Sequence, residues 1–292
     1  MSLWQQIESN ISSHTGESFK IQEKHSVSGG EINNAFKISD DKTSYFVKTN
    51  RQQMAYMFEA EARALQQIFQ TQTIKVPEPI HVGVSGHESY FVMSWLNLTG
   101  SPGGEKFGRK MAGLHQNVNE QFGFFVDNTI GSTPQLNQWS NDWIDFWQKQ
   151  RLGYQLNLAK KNGFGGQLHG LGQKLIEKTP LFFKSYKPAA SLLHGDLWAG
   201  NWSADETGAP VIYDPASYYG DREADLAMME LFGNPGRQFF DAYNEVFPVD
   251  EGYAIRKSFY NVYHILNHAN LFGASYAMQA QNMIENLLAE VG

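Results

Sequence analysis

Two short apolar stretches, each handing over to acidic or amide side chains, restrict the possible folds of this chain more tightly than anything else in it. Leu192 and Leu193 lead into His194-Gly195-Asp196-Leu197-Trp198-Ala199-Gly200-Asn201, and after a turn Pro210-Val211-Ile212-Tyr213 runs into Asp214-Pro215. Read as strands, the apolar stretches bury themselves and leave Asp196, Asn201 and Asp214 on loops. Phosphoryl transfer from Mg-ATP calls for such a set, because the protein has little covalent work to do and acts by positioning and charge neutralisation. Asp196 would accept the proton of an attacking hydroxyl. Asn201 and Asp214 would offer the one or two hard oxygens that Mg²⁺ takes from a protein. An ordinary turn would use Asp and Asn only for local hydrogen bonds, and His194 by itself is expected to be structural.

With 292 residues the chain exceeds the usual size of one domain, so two lobes sharing a cleft are expected. The formal charge of −7 speaks against nucleic acid as a partner, which selects for a basic surplus. No apolar run reaches transmembrane length, and the opening residues lack a basic start with an apolar core. A soluble, cytoplasmic protein without a membrane partner is therefore expected, and a monomer. The absence of cysteine removes disulfides, thiolate metal sites and a cysteine nucleophile together.

Ahead of the Asp196 stretch the pattern changes character once. Leu3, Trp4, Ile7 and Ile11 fall on one helical face; short strands are then expected over 19–24, 35–38 and 45–48, as an antiparallel meander. Gly29 and Gly30 lie between the first two strands, where backbone N–H groups can cradle phosphate oxygens; an ordinary tight turn would need the same glycines. Lys48 ends the third strand on the face of Phe46. In the helix expected over 54–69, Met54, Met57, Phe58, Leu65 and Ile68 form a face that also carries Glu61 but not Glu59. A carboxylate among core positions needs a charge partner, and Lys48 is the candidate. After Leu96 the chain loosens through Thr99-Gly100-Ser101-Pro102-Gly103-Gly104, which marks a lobe boundary: 1–96 would form an N-terminal ATP-binding lobe and 97–292 a C-terminal one. Helices dominate beyond it. His115, on a face with Phe107, Met111 and Leu114, is expected to be buried and hydrogen-bonded. A long aromatic-rich loop runs to Trp139, and such loops tend to be functional. Ser140 or Asn141 is expected to cap the helix carrying Trp143, Phe146, Trp147 and Arg151. Asp225, in the acid-rich first turn of a later helix, is expected to tie that helix to the Asp196 loop.

The interval from Asp196 to Asn201 and the strand-end Asp214 resemble the catalytic loop of protein-kinase-like enzymes. Lys48 and Glu61 resemble the strand-Lys to helix-Glu pair that orients ATP phosphates there. Gly195 stands where protein kinases carry Arg, and no Ala-Pro-Glu segment follows, so the likeness is to the small-molecule branch. The implied fold is α+β, a protein-kinase-like two-lobed fold with a small antiparallel-sheet N-lobe and a larger, mostly helical C-lobe. By the same resemblance Met93 would be the gatekeeper, with the Ser94 carbonyl and the Leu96 amide meeting adenine. Phe122-Gly123-Phe124, Ile130-Gly131-Ser132-Thr133-Pro134-Gln135, Trp139, Asp142-Trp143 and Phe146, with Trp198, Asp214-Pro215-Ala216 and the helix start at 220–227, are similar to the fructosamine kinase, or ketosamine-3-kinase, family. Membership implies ATP and Mg²⁺ as cofactors and phosphorylation of the sugar 3-hydroxyl of free or protein-bound ketosamines. It also implies an unstable product whose breakdown frees the amine, a repair of glycated protein. Many relatives carry Cys where this chain has Glu31, and the thiol switch known there in the family cannot operate here. Trp198 is the candidate wall for the sugar or its cationic amine, with core burial as its other reading. Two alternatives stay open at this point. One is the same fold acting on an aminoglycoside, choline or another amino alcohol. The other is a catalytically silent nucleotide-binding module, against which the intact set Lys48, Glu61, Asp196, Asn201 and Asp214 speaks.

Overall fold

In the computed structural model, which describes residues 2–27 and 32–291, the opening helix α1 (Leu3–Thr15) starts on a capping box. Ser2 Oγ accepts from the Gln5 N–H while Gln5 Oε1 accepts from the Ser2 N–H. Ile7 and Ile11, one turn apart, are fully buried in a cluster with Phe19, Ile38, Tyr45, Val47, Tyr90 and Val92, so α1 covers one face of the sheet that follows. The strands β1 (Glu23–Ser26), β2 (Asn34–Ser39), β3 (Ser44–Arg51), β4 (Pro79–Ser85) and β5 (Glu88–Ser94) pair antiparallel in the order β1-β2-β3-β5-β4. Alternation along β3 sends Tyr45 and Val47 toward α1 and puts Phe46 with the second, larger core. On that opposite face lies α2 (Ala55–Thr71), with Phe58 against Phe91, ring centroids 6.3 Å apart. The strand expected over 19–24 begins only at Glu23. Phe19 and Ile21 give their N–H groups to Ser12 Oγ and Glu8 Oε1, side chains of α1, instead of to a neighbouring strand.

Past Leu96 the stretch expected to loosen contains a strand, β6 (Leu98–Gly100), whose three residues are exposed and so carry no apolar signature. Then follow α3 (Gly104–His115) and the short strands β7 (Val118–Asn119), β8 (Asn128–Ile130) and β9 (Thr133–Gln135). The helix expected around Trp143 is one run of helical turns: α4 (Trp143–Phe146), a π-helical segment over Trp147–Gly153, and α5 (Tyr154–Lys161). Asp142 caps it, accepting from the Asp145 N–H at 2.7 Å. Ser140 does not, because its hydroxyl bonds the backbone of Asp142, and the Asn141 Oδ1 is engaged by Gln121. Trp147 and Arg151, in the wider π turns, are both fully buried. The chain continues through α6 (Gln167–Lys178), β10 (Ala190–Leu192), β11 (Trp202–Asp205), β12 (Pro210–Ile212) and β13 (Tyr219–Gly220), and ends on α7 (Glu223–Leu231), α8 (Arg237–Val246), α9 (Tyr253–Phe272) and α10 (Ala274–Val291). β10 lies between β13 and β7, and β11 between β12 and β6, in two small antiparallel sheets. A five-stranded antiparallel sheet followed by a mostly helical second half is the α+β, two-lobed arrangement expected from the sequence.

Candidate active site

β10 is buried at all three positions and runs into Leu193 and His194, which are buried as well. His194 is structural. Its Nε2–H donates to the Tyr213 carbonyl at 2.9 Å, and its Nδ1 accepts from the Asp196 N–H at 3.3 Å. It thereby joins the loop that carries Asp196 to the one that carries Asp214, and burial holds its pKa below the ordinary imidazole value. Gly195 has φ +83, and a Cβ there would lie 2.1 Å from the Ala216 carbonyl oxygen. The arginine that protein kinases place at this position has no room.

The N–H groups of His194 and Gly195 both donate to the carboxylate of Asp225, at 2.7 and 2.8 Å. Asp225 sits in the first turn of α7 and takes a third bond from His115 Nε2 at 3.2 Å. His115, fully buried, accepts at Nδ1 from the Tyr243 hydroxyl at 2.8 Å, and that oxygen accepts from Arg222 at 3.2 Å. Burial would raise the Asp225 carboxyl, but these donors hold it below its ordinary pKa. An oriented chain of bonds therefore runs from α8 through α3 to α7 and pins the backbone on which Asp196 stands.

Asp196 itself is only half-buried. Asn201 Nδ2 donates to the Asp196 carbonyl at 2.7 Å and reaches its Oδ2 at 3.3 Å. Burial first, then the neighbouring Asp214 charge, push the Asp196 pKa up to about 7, against the pull of the Asn201 bond. A carboxylate of that basicity suits acceptance of a hydroxyl proton near neutral pH.

Asp214 follows β12 at φ 57, a left-handed backbone that Asp tolerates better than most residues. Its Oδ1 accepts from Lys48 Nζ at 2.7 Å, and the same ammonium donates to Glu61 Oε1 at 2.7 Å. One cation from β3 thus links α2 of the first lobe to the loop after β12 in the second. Glu59 is exposed and takes no part. Burial pulls the Lys48 pKa down, but the two carboxylates outweigh it and hold it above the ordinary value. Burial pushes Glu61 up to about 7 against the attraction of Lys48. Asn201 has committed its amide to Asp196, so its Oδ1 and the Asp214 carboxylate are left as hard oxygens of the kind that would suit Mg²⁺. The Tyr213 N–H donates to the Asn201 carbonyl at 3.1 Å, which ties the two backbones.

Met93 is buried in the larger core at the end of β5, while Ser94 and Leu96 are half-buried beyond it. The Ser94 N–H donates to Glu78 and the Trp95 N–H to Ser44, both within the first lobe. Trp198 is 44% exposed, which excludes core burial. Gly29, Gly30 and Glu31 lie outside the described residues. Two residues next to the site escape a reading of periodicity: Asn128 and Gln135 are buried amides whose donors reach the Ser217 and Ala216 carbonyls just past Asp214. Gln135 falls within the Ile130–Gln135 segment that carries the family resemblance, but the pairing of the two amides across the Gly131 turn shows only in the structure.

The fructosamine kinase family profile matches residues 3–290. A probable ketoamine kinase of Synechocystis is 46% identical over 288 residues, which are 98% of this chain and 97% of that protein. A chloroplastic protein-ribulosamine 3-kinase of Arabidopsis thaliana is 43% identical over 94% of this chain and 85% of its own. Among solved structures, a "putative fructosamine-3-kinase" of Haemophilus somnus superposes with a TM-score of 0.87 at 30% identity, covering 98% of this chain and 100% of that one. An aminoglycoside phosphotransferase superposes with a TM-score of 0.60 at 16% identity over 97% and 98% of the two chains, a likeness of fold alone.

Proposed function

The chain belongs to the fructosamine kinase family, and from that premise we propose that it is an ATP-dependent kinase of ketosamines, acting on the sugar 3-hydroxyl in the repair of glycated amines. One observation carries the reading. Lys48, Glu61 and Asp214 converge from three separate segments, and the loop joined to Asp214 through His194 holds a carboxylate with a pKa of about 7. Asp196 accepts the proton of the sugar hydroxyl as it attacks. Glu61 orients Lys48 toward the phosphate oxygens. Asn201 and Asp214 would hold Mg²⁺, which when bound would neutralise charge on the transferring phosphoryl group. Met93, Ser94 and Leu96 form the adenine edge. Exposed Trp198, two residues past the base, is the wall for the sugar or its ammonium. Enolisation toward C1 expels the 3-phosphate as inorganic phosphate, and water then hydrolyses the imine left behind, which frees the amine. The acceptor is a small-molecule or protein-bound ketosamine, not nucleic acid. Among the described residues no helix is long and apolar enough to cross a membrane, and we place the protein, as a monomer, with the cytoplasmic ATP pool.

Incubation with ATP and ribulose-lysine should put phosphate on the 3-hydroxyl, read by NMR, and then release lysine. Phosphate on any other hydroxyl would contradict the assignment. Trp198→Ala should lower kcat/KM for the ketosamine about 2- to 30-fold, the range of an attraction between a ring and a cation, with KM for ATP and Tm unchanged. A fall in Tm without loss of kcat/KM would return Trp198 to a packing role.

A further inference from the structure

The hairpin β8–β9 makes contacts that a packing role does not require. Asn128 and Gln135 face each other across its Gly131 turn, and they are 5% and 1% exposed. Gln135 Nε2 donates to Asn128 Oδ1 at 2.8 Å and to the Ala216 carbonyl at 3.0 Å. Asn128 Nδ2 donates to the Ser217 carbonyl at 2.9 Å. The Gln135 Oε1 accepts from the Tyr263 hydroxyl of α9 at 2.7 Å, so both hydrogens and the oxygen of this amide are committed. The hairpin is anchored in turn: buried Arg151 donates to Leu136 O and to Asn137 Oδ1, and Asn267 donates to Ile130 O.

The two carbonyls so engaged lie two and three residues past Asp214. The Ala216 peptide is fixed on both sides, because its N–H donates to the His194 carbonyl at 2.9 Å while its oxygen takes Gln135 and rests against Gly195. A non-glycine residue at positive φ persists where its surroundings over-determine it, and Asp214 at φ 57 is such a residue. On its N-terminal side His194 and Asn201 supply the restraint. On its C-terminal side the restraint comes from Ala216, and the hairpin holds Ala216. In protein kinases the segment after the metal-binding Asp is an activation loop that must be ordered before the enzyme works.

We propose that β8–β9 is a built-in amide clamp that locks the loop after Asp214 in its working conformation, with Gln135 and Asn128 as positioning residues for the metal-holding carboxylate. The proposal rests on Asp214 as a metal ligand, so its test has one arm that reads the loop without nucleotide. Gln135→Met removes both donors at nearly constant volume, and Asn128→Leu removes the donor to Ser217 without burying a charge. Hydrogen exchange of the unliganded protein should show the amides between 214 and 220 opening about tenfold or more faster in Gln135→Met, with the rest of the helical lobe protected as before. The Mg²⁺ concentration for half-maximal ADP binding should rise about 10- to 100-fold, the usual reach of a residue that orients a metal ligand, while KM for the ketosamine holds. Asn128→Leu should move both readouts the same way by less. Unchanged exchange and Mg²⁺ requirement would overturn the clamp, as would exchange accelerated throughout the helical lobe with Tm falling in proportion. Absence of Mg²⁺-dependent ADP binding in the wild type would overturn the metal assignment, and this role with it.

Discussion

Asp196 holds its proton far more tightly than an exposed aspartate, and catalysis and folding feel that in opposite directions. As the proposed base it is competent only when deprotonated, so kcat/KM should fall about tenfold per pH unit below about 7 and level off above it. Asp196→Asn should lower turnover by roughly 10² to 10⁴, about 3 to 5 kcal/mol of transition-state stabilisation, with ATP affinity retained. The folded carboxyl is protonated up to about pH 7, whereas in the unfolded chain it ionises near its ordinary 3.8. The folded state therefore binds the extra proton in that window, this group favours folding as pH falls through it, and its charge opposes folding above it. Asp196→Asn should accordingly be no less stable than wild type above pH about 7, measured by thermal denaturation, even as turnover is lost. Near-normal turnover in the variant removes Asp196 from the mechanism. If Lys48 and Glu61 work as one unit, as proposed, Lys48→Ala and Glu61→Ala should each cripple the enzyme and their combination should be little worse than either. If Glu59→Ala is the crippled variant instead, the ion pair of the structure is not the one that serves ATP.

Packing between elements is held by ion pairs as well as by aromatics, and α7 and α9 show it. Arg256 of α9 grips Glu223 of α7 through Nε at 2.7 Å and Nη2 at 2.9 Å, and also reaches Asp250 at 2.6 Å. Glu223 is fully buried. Removing the cation alone strands a buried carboxylate, so Arg256→Met should cost about 3 to 5 kcal/mol in denaturant unfolding; a loss under about 1 kcal/mol would show that the pair is dispensable. Much of the site could be read from the sequence where side chains obey a period. Alternation in β3 and the helical face of α2 were enough to pair Lys48 with Glu61, and the Asp196 to Asn201 interval to locate the loop. Residues whose neighbours are distant escaped. Asn128 and Gln135 look like ordinary polar turn residues until α9 and Ala216 close over them. The 19–24 strand was misplaced because α1 side chains take its N–H groups. Asp142 displaced Ser140 and Asn141 as the cap because those side chains had nearer partners. β6 is all exposed, and no apolar pattern announces it.

At the scale of the whole molecule, Lys48 bridges the lobes, with Glu61 of α2 on one side and Asp214 after β12 on the other. We place the boundary between lobes at residues 96 and 97, just before β6 joins the sheet of the second lobe. The net charge of −7 suits a cationic acceptor, but charge alone does not separate ketosamines from aminoglycosides or choline. ADP release measured against ribulose-, erythrulose- and fructose-lysine, an aminoglycoside and choline, with Asp196→Asn alongside, makes that separation. The expected result is turnover of the ketosamines, ribulose- and erythrulose-lysine ahead of fructose-lysine, none with the aminoglycoside or choline, and near silence of the variant throughout; phosphorylation of the aminoglycoside or choline with none of the ketosamines would contradict it.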